Sequence, residues 1–129
     1  MFSHITIGAN DMDRAVGFYT AFFAPLGVTL QYRDADFTRF GRVGEDLPFF
    51  TVLRPFDDSD ATAGNGAMTA FQAPDRAAVR AAYETALAQG GTCEGPPGPR
   101  PQYGAHYYGA YLRDPDGNKL HVVCRQAEG

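Results

Sequence analysis

The stretch HITIGANDMDRAVGFYTAFFAPLG, residues 4–27, has the same pattern as MTAFQAPDRAAVRAAYETALAQGG, residues 68–91. Each begins with a short strand-like run, passes through a polar break that contains an aspartate, and continues with apolar residues at helical spacing. The two stretches are related by a constant offset of 64 positions. We therefore interpret them as two copies of one structural unit, and the repeat predicts the architecture of the whole chain.

The aspartates of the two copies, Asp11 and Asp75, are suited to cap the helices that follow them. A carboxylate accepts hydrogen bonds from the free N–H groups of a first helical turn and favours the positive end of the helix dipole. The apolar residues of each copy share one helical face, and they are Met12, Ala15, Val16, Tyr19 and Phe23, then Val79, Tyr83, Ala86 and Leu87. Gly27 and Gly91 are predicted to end the helices with a left-handed residue.

Extended runs follow each predicted helix, at residues 28–32, 37–43, 49–53, 107–113 and 120–124. The proline-rich segment 94–101 is unable to form a helix or an interior strand. We expect it to be a loop that borders the ligand site.

The runs together predict a βαβββ unit that occurs twice in a single α+β domain over residues 1–129. Module one covers about 1–54, a polar linker covers about 55–65, and module two covers about 66–129. Each mixed sheet is expected to carry a helix on one face and to present its other face to a central trough. Ligands are expected to bind in that trough, because it is concave and lined by aromatic side chains.

Composition and charge exclude several classes of function. The 129 residues suit one domain, and 44% hydrophobic residues with ten Phe and seven Tyr predict an aromatic core. A net charge of -4 leaves no basic excess for nucleic acid or for an anionic membrane. No signal-peptide pattern or long apolar run is present, so we expect a cytoplasmic location. Cys93 and Cys124 match no metal or redox spacing and are expected to be reduced.

Several motifs together resemble the vicinal oxygen chelate superfamily of glyoxalases, extradiol dioxygenases and bleomycin resistance proteins. They are Ser3-His4-Ile5-Thr6-Ile7, Asp13-Arg14-Ala15-Val16 with Phe18-Tyr19 and Leu26-Gly27, Asp75-Arg76-Ala77-Ala78-Val79, Tyr107-Tyr108-Gly109-Ala110 and Arg113-Asp114-Pro115-Asp116-Gly117-Asn118. The Asp-Pro-Asp-Gly-Asn turn before a last apolar strand is the most specific of them. The resemblance spans nearly the whole chain and implies the glyoxalase fold.

The resemblance also implies a divalent metal ion, such as Zn, Ni, Fe or Mn, at the centre of the trough. Each module would give one ligand from its first strand and one from its last. Carried over by position, the four ligand sites fall on His4, about Phe50, Met68 and His121. His4 and His121 are good donors, Phe50 is none, and the Met68 thioether suits soft ions. A slip of one residue would replace Phe50 by Thr51, a weak ligand, so the expected cofactor is one metal ion in an incomplete site, or none.

Further residues near the predicted trough are candidates for chemistry. His106 and Tyr108 are catalytic candidates, as a proton carrier and a hydroxyl donor; the alternatives are a water-facing loop residue and a packing residue. Phe50, Met68, Tyr103 and Tyr107 are expected to line the pocket. Arg54, Arg100 and Arg113 are able to pair a substrate carboxylate, or they are solvated surface charges.

Two functions of different kind remain open from the sequence. The first is a metal-assisted lyase, isomerase or dioxygenase that acts on a small oxygen-rich molecule, with His4 and His121 holding the ion. The second is a metal-free protein that binds a small molecule or drug, as bleomycin resistance proteins do, and its acidic charge would favour a cationic ligand. A purely structural module would leave the two histidines unexplained. We expect a homodimer in either case, because relatives pair and edge strands need covering.

Overall fold

Each half of the chain folds into one strand, one α-helix and three further strands, so the predicted α+β class and βαβββ order are confirmed. The computed structural model describes residues 1–128. Module one contains β1 (His4–Gly8), α1 (Met12–Phe23), β2 (Val28–Arg33), β3 (Phe37–Arg42) and β4 (Phe49–Leu53). Module two contains β5 (Thr69–Gln72), α2 (Arg76–Ala88), β6 (Thr92–Pro99), β7 (Tyr108–Arg113) and β8 (Lys119–Cys124). Residues 54–68, which include the predicted linker 55–65, form no helix or strand.

The two sheets share one topology. The strand order is β1-β4-β3-β2 in module one and β5-β8-β7-β6 in module two. The first and last strands of each module are parallel neighbours, and the other pairs are antiparallel. A parallel pair needs a long crossover, and α1 and α2 begin these crossovers. As a result, β1 and β5 each lie at the edge of their sheet.

Both helices begin as predicted. Asp11 accepts a hydrogen bond from the Arg14 amide at 3.0 Å, and Asp75 accepts one from the Ala78 amide at 2.7 Å. Each carboxylate thus satisfies an amide that has no partner inside the helix. Most of the predicted apolar face is buried, with Met12, Ala15, Tyr19, Phe23, Val79 and Ala86 in the core and Val16, Tyr83 and Leu87 half-buried.

The helices end differently. Gly27 follows the short turn after α1 with φ of 73°, as predicted for a left-handed residue. In module two the left-handed residue is Gly90, with φ of 94°, so the prediction for Gly91 is wrong. Gly91 is required for another reason, because a Cβ there would lie 2.9 Å from Cε2 of Phe18 on α1. Its missing side chain allows the modules to approach closely.

The proline-rich segment is an edge strand, and the prediction of a loop at 94–101 is wrong for most of it. Strand β6 (Thr92–Pro99) pairs with β7, and its register shifts between Cys93 and Gly95 and again between Gly95 and Gly98. Prolines are tolerated there because an edge strand need not donate every amide to a neighbour. The segment is not an interior strand, in agreement with the sequence argument.

The modules share one core because their helix-covered faces meet. Helix α1 packs against α2. Phe71 of β5 lies 5.6 Å from Phe22 and 5.1 Å from Phe23, measured between ring centres, and 5.4 Å from Phe50 of β4. The aromatic residues counted in the sequence therefore form the junction between the two halves. The cysteines are free thiols, with Cys93 exposed and Cys124 buried.

The turn between β7 and β8 adds polar contacts to this junction. The Tyr19 hydroxyl donates to Asp114 at 2.6 Å, Arg14 pairs with Asp116 at 3.0 Å, and Asn118 donates to the Gly8 carbonyl at 3.1 Å. The Asp-Pro-Asp-Gly-Asn motif therefore fastens module two to the start of module one.

The opposite side of each sheet is left uncovered by a helix, and we call it the open face. The open face of module one carries His4, Thr6, Arg39, Phe49 and Thr51, and that of module two carries Ala70, Tyr107, Gly109, Tyr111, Lys119 and His121. Within residues 1–128, no hydrogen bond or ring contact joins side chains of the two open faces. The trough between them is thus left open within one chain.

In residues 1–128, no helix has both the length and the apolar character needed to cross a membrane.

Candidate functional site

His121 is the centre of the open face of module two. It is 1% exposed, and both of its ring nitrogens are engaged. Nδ1 lies 2.8 Å from the Ala110 carbonyl oxygen, and Nε2 lies 2.6 Å from the Tyr107 hydroxyl. The pairing of β7 with β8 sets Tyr111 opposite His121, and the two rings stack at 4.0 Å. The imidazole is therefore held on three sides by the sheet that carries it.

The hydrogen bonds of His121 identify its protonation state. Because the Ala110 carbonyl is an acceptor, Nδ1 must carry a proton. Burial lowers the pKa of His121, the bond to Ala110 opposes this shift, and nearby cations lower the pKa further. The ring is thus neutral at neutral pH, and Nε2 accepts a hydrogen bond from the Tyr107 hydroxyl. Tyr107 and His121 therefore form a hydrogen-bonded pair in which both groups are neutral.

His4 lies on the open face of module one in a different setting. It is exposed, its Nδ1 lies 2.8 Å from the Ser3 hydroxyl, and its ring stacks on Phe49 at 4.6 Å with parallel planes. The Arg39 guanidinium lies 3.8 Å from the centre of the same Phe49 ring. His4, Phe49 and Arg39 therefore form a stack of imidazole, phenyl and guanidinium groups. We call this stack the half-site of His4, and we call His121 with Tyr107 and Tyr111 the half-site of His121.

Strand register identifies the residue of module one that corresponds to His121. Ala70 on β5 pairs with His121, and Thr6, which corresponds to Ala70 in the repeat, pairs with Thr51. By register this position of the family pattern is thus Thr51, the alternative to Phe50 that a slip of one residue gives. Phe50 faces α1 and belongs to the shared core. A shift of one residue along a strand moves the side chain to the opposite face, so the two alternatives differ in the face that they occupy.

The predicted tyrosines of module two lie on opposite sides of its sheet. Tyr103 is 61% exposed, and its ring lies 5.3 Å from that of Tyr107, so these two residues come together with His121. Tyr108 follows Tyr107 and therefore points to the other face, where its hydroxyl accepts from Arg80 at 3.3 Å. His106 is exposed in the turn before them. The structure thus places Tyr107 beside His121 and does not bring Tyr108 or His106 there, and the catalytic roles of Tyr108 and His106 stay predictions.

A family comparison can now be set beside this geometry. The family model described as Glyoxalase/Bleomycin resistance protein/Dioxygenase superfamily matches residues 1–122. The chain belongs to this superfamily. The resemblance inferred from the sequence motifs is thereby confirmed. No curated protein matches the chain.

Solved structures of the superfamily share the fold. A glyoxalase/bleomycin resistance protein from Albidiferax ferrireducens is 35% identical, with 98% of this chain and 99% of that chain covered and a TM-score of 0.87. A glyoxalase-related enzyme from Fulvimarina pelagi is 21% identical over 96% of this chain and 87% of its own, with a TM-score of 0.74. A lactoylglutathione lyase from Agrobacterium tumefaciens is 22% identical over 96% and 92% of the two chains, with a TM-score of 0.66. At these two lower identities the likeness extends to the fold alone.

The donors at the superfamily's metal positions do not fit a divalent ion. His121 has both nitrogens engaged, and the Thr51 hydroxyl is bonded to the Thr6 hydroxyl at 2.8 Å and to the Ile5 carbonyl at 3.3 Å. Met68 is 45% exposed and offers a thioether, which hard and borderline ions bind poorly. Within residues 1–128, no group of three or more His, Cys, Asp or Glu side chains is placed to hold a metal. A mononuclear site needs about three protein ligands.

The site also contains residues that the sequence did not single out, namely Arg39, Tyr111, Lys119 and Arg125. Tyr111 was missed because its partner across the sheet is known only once the register is known. The three cations were missed because an isolated Lys or Arg in a sequence is usually a solvated surface charge. Alternation along 107–111 and 119–121 was the available signal, since it sets Tyr107, Tyr111, Lys119 and His121 on one face.

A cavity of about 500 Å³ lies elsewhere, between the end of α1 and β5. Phe23, Phe40, Phe50 and Phe71 are among its walls, and Arg42 is also part of its lining. The pocket prediction for Phe50 thus concerns this cavity, which neither His4 nor His121 lines. It reaches the edges of both open faces, because Phe49 and Ala70 are also part of its lining.

Proposed function

We propose that this superfamily member binds a small, flat molecule on its open faces and does so without a metal ion. The observation that carries the proposal is the engagement of both His121 nitrogens, by Ala110 and Tyr107. A metal at Nε2 would have to displace the Tyr107 hydroxyl. Within residues 1–128, no group of three or more His, Cys, Asp or Glu side chains is placed to complete its coordination. The binding alternative from the sequence is favoured over the metal-assisted enzyme.

The walls of the open faces support a flat ligand. Tyr103, Tyr107 and Tyr111 line module two, and Phe49 lines module one. Aromatic rings bind other rings face to face or edge to face, with a gain of about 0.5–1.5 kcal/mol for each pair beyond area burial. A conjugated ligand would find several such partners here.

A second copy of the chain is the partner that we infer for the open faces. In residues 1–128 the half-sites of His4 and His121 do not meet, and the edge strands β1 and β5 each lack a neighbour on one side. If β1 of one copy lies beside β5 of another, the half-site of His4 faces the half-site of His121 and an edge is covered. The homodimer and the cytoplasmic location expected from the sequence both stay predictions.

Elemental analysis tests the absence of a metal requirement. Protein purified from metal-replete medium without chelators is expected to hold less than one metal ion for every ten chains, roughly, against about one per chain in a structural or catalytic site. Treatment with EDTA should leave its thermal stability unchanged. The proposal fails if the parent holds stoichiometric metal and both His4→Gln and His121→Gln lose it.

Fluorescence titration with planar aromatic compounds tests binding itself. Saturable binding is expected for at least one compound, and Tyr111→Ala should weaken it because this ring faces the site beside His121. Phe56→Ala is the matched control, since Phe56 is a fully exposed aromatic residue of the linker. Equal loss in both variants, or no saturable binding to the parent, would contradict the proposal.

A second candidate function is metal-independent proton transfer, favoured by the 2.6 Å contact between Tyr107 and His121. In this step the Tyr107 oxygen would take a proton from a carbon acid as its own proton moves to Nε2 of His121, so that a carbanion and an imidazolium form together. Deuterium exchange into the methyl group of pyruvate, followed by proton NMR, tests this chemistry. Exchange by the parent and none by Tyr107→Phe would support an enzyme. Absence of exchange in the parent would leave the binding function alone.

A further inference from the structure

The cations of the chain have different partners on its different sides. Within residues 1–128, five arginines form ion pairs, and these are Arg14 with Asp116, Arg33 with Asp13, Arg54 with Asp36, Arg76 with Glu128 and Arg113 with Glu94. Four other cations lie over aromatic rings of the open faces, and these are Arg39 over Phe49, Arg100 and Lys119 over Tyr111, and Arg125 over Tyr107. Among residues 1–128, no carboxylate lies at ion-pair distance from any of these four cations. The open faces are thus positive in a chain of net charge -4.

Three of these cations, Arg100, Lys119 and Arg125, converge on His121. Arg100 and Lys119 lie over Tyr111, which stacks on His121, and Arg125 lies over Tyr107, which bonds to His121. Their charges add to burial in lowering the pKa of His121. Glu94 is a nearby carboxylate, and its pKa is lowered mainly by its hydrogen bond to Arg113 and to a smaller extent by the charge of Lys119. Glu94 therefore offsets only part of the charge of Lys119. An anion beside Tyr111 would therefore meet a surplus of positive charge. The attraction is stronger there than in bulk water, because the face is partly buried.

Arg100 is held in place before a ligand arrives. Its Nη2 donates to the Pro96 carbonyl at 2.8 Å and its Nη1 to the Pro99 carbonyl at 3.3 Å. Gly98 leaves space for it, since a Cβ there would lie 3.1 Å from Nη1. A guanidinium presents a flat fork that matches a carboxylate, and an ordered one loses less entropy on binding. The glycines and prolines of β6 thus serve to position Arg100.

We propose that the open face of module two binds the carboxylate of a flat, conjugated organic acid, with Arg100 and Lys119 holding the anionic group beside Tyr111. This proposal rests on the proposed function, because it names the ligand class for the same face. It reverses the expectation of a cationic ligand that follows from the net charge. The charges near the binding face determine which ligand it attracts, and the net charge of the chain does not. Exposed charges farther away than about 10 Å are largely screened at 0.1 M salt.

Three naphthalene probes of one shape and different charge test the ligand class. They are naphthalene-2-carboxylate, the neutral naphthalene-2-carboxamide and the cationic 2-naphthylmethylammonium, each titrated by calorimetry. The carboxylate is expected to bind at least about tenfold more tightly than the amide, because charge-assisted hydrogen bonds exceed neutral ones. Its affinity should fall between about 0.01 M and about 0.1 M salt, over which the screening length shrinks from about 30 Å to about 10 Å.

Two variants, Arg100→Gln and Lys119→Gln, test the assignment of residues. Each should bring the affinity of the carboxylate close to that of the amide. Arg33→Gln is the matched control, because it changes the net charge equally but removes an arginine that pairs with Asp13 of α1. Thermal melts identify any variant that fails to fold, and the second variant then carries the test.

The outcomes separate this inference from the proposed function. Equal affinity of the parent for the acid and the amide would overturn the anion inference and leave metal-free binding intact. Binding of none of the probes would overturn both. Preference for the acid that survives in folded Arg100→Gln and Lys119→Gln, or that is lost equally in Arg33→Gln, would overturn the assignment to these residues.

Discussion

Tyr19 and Asp114 form a buried polar contact at the junction of the modules. Tyr19 is 1% exposed and Asp114 is 4% exposed. Asp114 accepts from the Tyr19 hydroxyl and from the Asn118 side chain on one oxygen, and from the amides of Asp116 and Asn118 on the other. A buried carboxylate is tolerated when its oxygens are satisfied in this way. One residue of α1 thus completes a site built by the β7–β8 turn.

Replacement of Tyr19 by Phe should destabilise the protein by about 1.5–3 kcal/mol, the usual loss for a hydrogen bond to a charged group. Denaturant unfolding followed by circular dichroism measures this change. Tyr32→Phe is the matched control, because the Tyr32 hydroxyl donates to Asp34 at 2.9 Å on the exposed surface. Its expected loss is below about 0.5 kcal/mol. Similar losses in both variants would show that the Tyr19 contact has no special importance.

The same contact predicts a dependence on pH. Burial raises the pKa of Asp114, while the bonds from Tyr19 and Asn118 oppose the rise. An acid whose pKa is raised on folding contributes stability at low pH, and this contribution is lost as pH rises through the folded pKa. Tyr19→Phe removes an opposing bond and raises the folded pKa further. Its deficit relative to the parent should therefore grow from about pH 4, the ordinary range of aspartate, toward neutral pH.

Unfolding free energies of the parent and of Tyr19→Phe, measured over this pH range, check the sign. A deficit that is constant with pH would show that the Tyr19 hydroxyl acts equally on both forms of Asp114. A deficit that shrinks toward neutral pH would show that the Tyr19 hydroxyl raises the folded pKa of Asp114 instead of lowering it.

At the scale of elements, Gly109 on β7 provides the space that His121 occupies. A Cβ at this position would lie 2.6 Å from Cε1 of His121 and 3.1 Å from the Val122 carbonyl oxygen. The imidazole has no free direction, because Tyr107, Tyr111 and Ala110 hold its other sides. The absence of a side chain in β7 is thus a condition for the buried histidine in β8.

Gly109→Ala should destabilise the protein by about 1–3 kcal/mol, as overpacking of a core does, and should weaken ligand binding as well. Gly17→Ala is the matched control on α1. Gly17 is exposed in the helix interior, and the nearest atom to its added Cβ is 3.7 Å away. The free energy of unfolding of this control variant should rise by about 0.5–1 kcal/mol, because Gly is a poor helix former and Ala is a good one. Thermal and denaturant unfolding measure both changes, and a neutral Gly109→Ala would show that the sheet adapts.

The elements that could be predicted from the sequence are those with local signals. Asp11 and Asp75 mark helix starts through their own chemistry, and apolar spacing identifies the helices. Strand β6 was missed because its prolines argue against pairing, whereas an edge tolerates them. The choice between Phe50 and Thr51, and that between Tyr107 and Tyr108, could not be made from the sequence, because both depend on register, which is set by contacts far apart in the sequence.

At the scale of the whole molecule, the repeat is symmetric in topology and asymmetric in its contacts. The β7–β8 turn is fastened to α1 through Asp114 and Asp116, and Ala61 of the linker packs against Gly8 at the same end. At the other end the 500 Å³ cavity lies between the β3–β4 hairpin and β5. Because one end is fastened and the other is not, we expect the second end to open first during local unfolding.

The inferred dimer gives the last prediction, which concerns Ala70. Ala70 is exposed on the edge strand β5, pairs with His121 and lies where a second copy would have to approach. Ala70→Glu should therefore give a monomer, since a buried unpaired charge costs several kcal/mol. Ala77→Glu is the matched control, because Ala77 is exposed on α2 and the added charge is the same.

Light scattering after size exclusion distinguishes the outcomes. The parent and Ala77→Glu should have twice the 14.0 kDa mass of one chain, and Ala70→Glu should have the mass of one chain. Ligand affinity should fall together with dimerisation, because the half-site of His4 would then lack the half-site of His121. A monomeric parent that still binds the naphthalene carboxylate would mean that the open face of module two is a complete site by itself, since Arg100, Lys119 and Tyr111 all belong to one chain.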